Sequence, residues 1–118
     1  MPTPKEHRTQ AEQNEFFVSS LDNPFWDWAV TGTFYEALHY VDGFLMMKGV
    51  DPPRHADRNH IVESDSMLSK IWPEYSQLYN DSKLARYECH EFSRDEVRLL
   101  RENYLKPIKE LLNPLIPK

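Results

Sequence analysis

Two groups of residues in this chain are of the types that handle phosphates and protons. The first is Arg54, His55, Arg58 and His60, two arginines and two histidines within seven positions, directly after Pro52-Pro53. An arginine can hold a phosphate with two parallel N–H bonds. A histidine near neutrality can move a proton while a phosphodiester is cleaved. These four are the candidate catalytic residues. The second group is Tyr79, Ser82, Arg86, Tyr87 and His90. Tyr79, Ser82 and Arg86 share a helix face through steps of three and four, with Tyr87 and His90 on an adjoining face. Arg86, Tyr87 and Tyr79 are the candidate substrate-binding residues. Each group has a competing reading as a solvated helix face. Arg54 and Arg58 would then pair with Asp57, Glu63 or Asp65, and Arg86 with Asp81, Glu88 or a carboxylate on another helix.

Other chemistries find less support. Glu36-Ala-Leu-His39 is a Glu-x-x-His pair on one helix face, but a dimetal bundle needs a second pair and two more carboxylates. His60-Ile-Val-Glu63 has the reverse order. No metal and no cofactor are therefore expected, and His39 is expected to be buried and hydrogen-bonded. Cys89 is the one cysteine, so no disulfide can form within the chain, and a reducing cytoplasm is the expected setting. Its neighbour His90 points about 100° away on a helix, which argues against a thiol nucleophile. Three glycines are too few for a phosphate-binding glycine loop.

The element that must position both groups is the stretch Pro24 to Gly49. It reads as one long helix, with Asn23 as cap, Pro24 in the first turn and Gly49 at the stop. Its apolar residues, Trp26, Trp28, Phe34, Leu38, Val41 and Phe44 among them, run most of the way round, so other helices should encase it. Gly32 and Gly43 lie inside it, where each costs roughly 1 kcal/mol against alanine. Close approach of a neighbouring backbone would justify them. Asp27, Glu36, His39 and Asp42 interrupt the apolar run and rule out a membrane span.

Before it, Thr3-Pro4-Lys5-Glu6 is laid out as a helix start, and Thr9 with Glu12 repeats the pattern. Phe16, Phe17 and Leu21 are the apparent apolar side of this first helix, whose early residues should fray. After Pro53, Asp51 is placed to cap a short helix with little to bury beyond Ala56, Ile61 and Val62. A fourth helix follows to about Glu88, kinked or restarted at Pro73. The last opens with the capping box Ser93-Arg94-Asp95-Glu96. Val97, Leu100, Tyr104, Ile108, Leu111, Leu112 and Leu115 form its stripe, with a bend at Pro107 and an end or fray at Pro114. No alternating run long enough for a strand is present. The expected architecture is all-α, an antiparallel helical bundle of four main helices plus one short helix, in a single domain of 118 residues. The polar N-terminal stretch has no signal-peptide pattern. With 14 Lys+Arg against 19 Asp+Glu, the net charge of −5 excludes wholesale wrapping of nucleic acid but allows a small basic cleft.

Trp28-Ala29-Val30 followed by Phe34-Tyr35-Glu36-Ala37-Leu38-His39 resembles the second-helix pattern of HEPN-like domains (higher eukaryotes and prokaryotes nucleotide-binding). Gly49, Pro53, His55-Ala56-Asp57-Arg58-Asn59, Tyr75, Leu78, Ser82 and Ala85-Arg86-Tyr87 follow in matching order, so the similarity spans roughly Asp27 to Tyr87. The resemblance implies an antiparallel helical bundle, usually a homodimer, and an RNA-directed role of a toxin or defence type. Active relatives are metal-independent ribonucleases with an arginine, four to six intervening residues and a histidine, brought together across the dimer interface. Others are non-catalytic modules that pair with nucleotidyltransferase-type proteins. Arg54 and His60 have five residues between them, though active relatives carry the motif near a later helix. Arg86 and His90 lie nearer that region, with three between them.

Overall fold

The computed structural model describes residues 2–20, 25–88 and 90–117, and these contain helices and no strand. The first helix, α1 (Pro4–Ser20), begins at a reciprocal cap. The Thr3 hydroxyl accepts from the Glu6 N–H at 3.1 Å, and the Glu6 carboxylate accepts from the Thr3 N–H at 3.0 Å. The central helix, α2 (Trp26–Met47), runs antiparallel to α1: Val18 meets Gly32, His7 meets His39 and Pro4 reaches Gly43. A methyl group on Gly32 would stand 2.7 Å from Val18 Cγ2. One on Gly43 would stand 3.0 Å from Ile116 Cδ1 and 3.4 Å from both His7 Cβ and the Pro4 carbonyl. Both glycines are notches that let α1 come close. Gly49, at φ 72°, ends α2: its N–H bonds the Met46 carbonyl and that of Val50 bonds the Leu45 carbonyl, the double bond of a Schellman turn.

The polar-looking α1 departs from its expected face. His7, Ala11 and Val18 are buried, whereas Phe16 is 77% exposed and Phe17 is also largely exposed. Its early turns do not rest on large apolar residues. The Arg8 guanidinium bonds the Ile116 carbonyl at 3.1 Å and His7 packs at Gly43, which anchors the start of the helix to the end of the chain. Asn23 and Pro24 (expected to open α2), Leu21 and Cys89 lie outside the described residues.

The short helix α3 (His55–Ser64) follows the two prolines, with Arg54 rather than Asp51 at its cap position. Ala56 is exposed, and the buried positions are Val62 and, unexpectedly, Arg58. Asp65 then caps a 3₁₀ turn, accepting from the N–H groups of Met67 and Leu68 at 2.8 and 3.0 Å. Pro73 sits in the first turn of α4 (Trp72–Tyr87), so it marks a restart.

The capping box at Ser93 forms as expected and opens α5 (Arg94–Leu100). A π-helical stretch (Arg101–Leu105) joins it to α6 (Lys106–Leu112) with helical backbone throughout. The wide turn shifts the stripe: Leu105, not Tyr104, is the buried residue after Leu100, and Ile108 and Leu112 follow. It directly precedes Pro107, whose ring would clash with the carbonyl four residues back in a regular α-helix. Pro114 lies in a closing 3₁₀ turn (Asn113–Leu115), after which Ile116 rather than Leu115 is buried. α1, α4 and the α5–α6 rod all pack on α2. Phe34, Tyr40, Leu45, Tyr75, Leu78 and Ile108 fill the centre. α2 is thus encased over most of its surface, except at Trp28, which is 59% exposed, and at the terminal Met47. No helix of the described residues is long and apolar enough to cross a membrane.

Candidate functional site

The residues singled out in the sequence do not all meet. Arg54 is solvent-exposed and forms a two-bond ion pair with Asp57 at 2.9 and 3.4 Å. His60 is exposed on the same short helix. Six others, His55, Arg58, Tyr79, Ser82, Arg86 and Tyr87, converge where α3 and α4 cross α2. The His55 ring lies 5.6 Å from the Tyr79 ring, 5.7 Å from Phe34 and 6.3 Å from Tyr35. Arg58 reaches His55 Nδ1 at 3.5 Å. Arg86 donates to the Tyr35 hydroxyl at 2.9 Å, and to the Ser82 carbonyl and hydroxyl at 3.2 Å each. Its guanidinium lies 5.0 Å from the exposed Tyr87 ring and 5.5 Å from that of Tyr35. Lys83 stands over Tyr79 at 5.3 Å.

The two converging arginines are in different states. Arg58 is buried and held by Asp42 of α2 through two bonds of 2.7 and 3.0 Å, and it also reaches the Pro52 carbonyl at 3.4 Å. The carboxylate thus comes from another helix, not from the Asp57, Glu63 or Asp65 suggested by proximity in sequence. A buried, doubly bonded arginine orients α3 against α2 and has little to offer a ligand. Arg86 makes no ion pair among the described residues. Its partners are a hydroxyl and Ser82, whose own hydroxyl bonds the Tyr79 carbonyl at 2.8 Å. A guanidinium has five N–H donors, so Arg86 keeps donors free for an anion.

His55 is set up as a neutral ring. Burial, then the positive charges of Arg58 and Arg86, hold its pKa below the ordinary histidine value, with Asp42 opposing. Arg58 can only donate, so Nδ1 of His55 accepts and the ring proton sits on Nε2. A half-buried imidazole in that tautomer donates a hydrogen bond more readily than it removes a proton.

Comparison with family models, with curated proteins and with solved structures gives no match.

The site therefore stands on its own geometry: a guanidinium held by hydroxyl and carbonyl oxygens with donors to spare, and a neutral imidazole nearby, among three tyrosines and Phe34. Tyr35 also lines a neighbouring groove of about 350 Å³ with Phe17, Trp28 and Thr31. Tyr35, Phe34 and Asp42 were not among the candidate residues. Asp42 could have been found, because a carboxylate in a helix apolar on most sides needs a buried cation. His90 packs on Phe92 at 4.6 Å and is no part of the cluster. His39 is hydrogen-bonded, Nδ1 to Nδ1 of His7 at 2.9 Å, and Glu36 turns to Arg101 at 2.9 Å, so the Glu-x-x-His pair is divided between two partners. Among the described residues no group of three or more histidines, cysteines or acids is placed to hold a metal ion.

Proposed function

We propose that this protein is an RNA-directed, HEPN-like module that binds single-stranded RNA, with a phosphate on Arg86 and a base stacked on the adjoining tyrosines. One observation carries the reading: Arg86 has no carboxylate partner among the described residues and is framed by the aromatic rings of Tyr35 and Tyr87. Single-strand binders combine this pairing of cation and exposed ring, because every base has a face to stack. Trp28, beside Tyr35 in the adjoining groove, offers a further ring.

Binding is favoured over cleavage. An endoribonuclease needs a histidine free to take a proton from the ribose hydroxyl, and His55 faces Arg58 through the nitrogen that would do so. Arg54 and His60, the pair with ribonuclease spacing, are both exposed, and Arg54 is engaged with Asp57. Fluorescence anisotropy with a labelled single-stranded oligonucleotide tests the reading. Arg86→Ala should weaken binding at least tenfold, and Tyr87→Ala several-fold, since a stacked base is worth about 1–3 kcal/mol. Unchanged affinity in Arg86→Ala removes the proposal. Cleavage of the oligonucleotide in EDTA, abolished by His55→Ala, would restore the metal-independent ribonuclease reading.

A second reading, a homodimeric or partner-binding module, is favoured by Phe25 and Trp28, half or more exposed near the start of α2. Its partner would be a second copy or a nucleotidyltransferase-type protein. Light scattering that reports a dimer in the parent protein and a monomer in Trp28→Ser would support it.

A further inference from the structure

A different face of α2 carries a second site. We propose that the cleft walled by Glu12, Glu15, Phe16, Tyr40, Lys109 and Asn113, about 350 Å³ in volume, binds a small organic cation through a primary ammonium group. It is independent of the RNA-binding reading.

Two polar atoms define what the cleft lacks. Tyr40 is fully buried and lines the cleft, yet its hydroxyl has no hydrogen-bond partner. Oδ1 of Asn113, across the cleft, is likewise buried and unpartnered. Glu36, one turn before Tyr40, is fully buried behind the cleft wall, and gives one oxygen to Arg101 at 2.9 Å. Leaving a buried polar atom unsatisfied costs about 1–3 kcal/mol. The Asn113 oxygen can only accept and the Tyr40 oxygen can accept as well as donate, so one donating group completes both. A primary ammonium places three N–H donors on one atom.

The charges select the same chemistry. Burial, followed by the carboxylates of Glu36, Glu15 and Glu12, holds the Tyr40 hydroxyl well above its ordinary pKa, and only Arg8 opposes. The hydroxyl therefore sits in a negative field that repels anions. The protein's own ammonium is already drawn in: Lys109 Nζ lies 2.6 Å from Glu15 Oε2. Phe16, the most exposed large apolar side chain, lines the same cleft and can cover an alkyl arm or face a cation.

Glu36 makes the site readable by pH. It is faced by Arg101 from the π stretch, by Glu15 from α1 and by Tyr40 on its own helix, with Lys109 of α6 behind Glu15. Burial pushes its carboxyl up to about 7. A bound ammonium favours the carboxylate, so binding should expel the Glu36 proton and weaken in acid.

Isothermal titration calorimetry of the full chain with 1,4-diaminobutane tests this. Binding should be several-fold weaker at pH 5.5 than at pH 8, because the ammonium charge favours the ionised Glu36 behind Tyr40, a carboxyl that titrates near 7. The heat at pH 7 should depend on the ionisation enthalpy of the buffer. Glu36→Gln should flatten the pH dependence, and Tyr40→Phe, which keeps the ring, should weaken binding several-fold. Tetramethylammonium has the charge and no N–H, and should not bind. No heat with 1,4-diaminobutane at pH 8 would mean that water alone completes Tyr40 and Asn113, and overturns the proposal. Equal affinity for tetramethylammonium overturns it as well.

Discussion

Glu36 and His39 stand one turn apart on α2 and are displaced in opposite directions. Burial raises Glu36 to about 7, while burial and then His7 lower His39 to about 4. Their effects on stability oppose each other over one pH range. Glu36 keeps its proton in the fold, so its contribution is complete below its ordinary value and is lost as pH rises through 7. His39 stays neutral in the fold while the unfolded chain takes up a proton. Its contribution is complete above its ordinary value near 6.5 and is lost as pH falls toward 4. Urea denaturation between pH 4.5 and 7.5 should separate them. Glu36→Gln should steepen the loss of stability in acid relative to the parent, by about 2–3 kcal/mol across the range. His39→Gln should tilt the profile the other way. Parallel profiles for parent and variants would show that neither group is shifted. The residue types at both sites were legible from the chain; their partners were not. Asp42 and Arg58 are separated by 16 positions, Tyr35 and Arg86 by 51, Glu36 and Arg101 by 65. Local spacing brings Tyr79, Ser82 and Arg86 together, but it does not say which carboxylate leaves one arginine spent and which hydroxyl leaves another available.

Among the elements, α1 and α2 meet through their notches, and the two glycines should respond differently to alanine. At either position alanine gains roughly 1 kcal/mol of helix propensity. At Gly32 the new methyl group meets Val18 Cγ2 at 2.7 Å, and a β-branched side chain in a helix has almost no other rotamer to take. Gly32→Ala should therefore be net destabilising by about 1–2 kcal/mol, and Val18→Ala should recover part of that loss. At Gly43 the nearest atom is the flexible tip of Ile116, so Gly43→Ala should be close to neutral. Thermal unfolding of the three variants checks the order, and equal losses at both glycines would contradict it. Helix count, caps and stops were readable because they rest on short-range chemistry, as at Thr3, Gly49 and Ser93. The buried face of α1 was not, because His7 and Arg8 are held by His39 and the Ile116 carbonyl, far along the chain. Leu105 was missed on the stripe, with Tyr104 packed only partly buried beside it, for a different reason: the count between Leu100 and Leu105 is that of a π turn, which a regular period of 3.6 does not contain.

At the scale of the molecule, the acidic balance limits how nucleic acid can be held. The net charge is −5, and the cations at the Arg86 cluster that are not buried in ion pairs are Arg86 and Lys83. Only one or two phosphates can be neutralised there, so the slope of log affinity against log salt should lie between about −0.7 and −1.4. Anisotropy titrations from 50 to 200 mM salt, on the order of a sevenfold loss at most, measure this directly. A slope of −5 would place the nucleic acid on some other surface. The rod that closes the bundle has a consequence for the opposite cleft. Taking one residue out of Arg101–Leu105 would restore a regular α-helix there, and the segment from Ser93 to Leu100 would rotate by about 100° against Ile108 and Leu112. Val97 and Leu100 would swing toward water and the Arg101 guanidinium would leave Glu36 stranded. The single surplus residue sets the phase of the whole C-terminal third, and with it the charge balance at the heart of the fold.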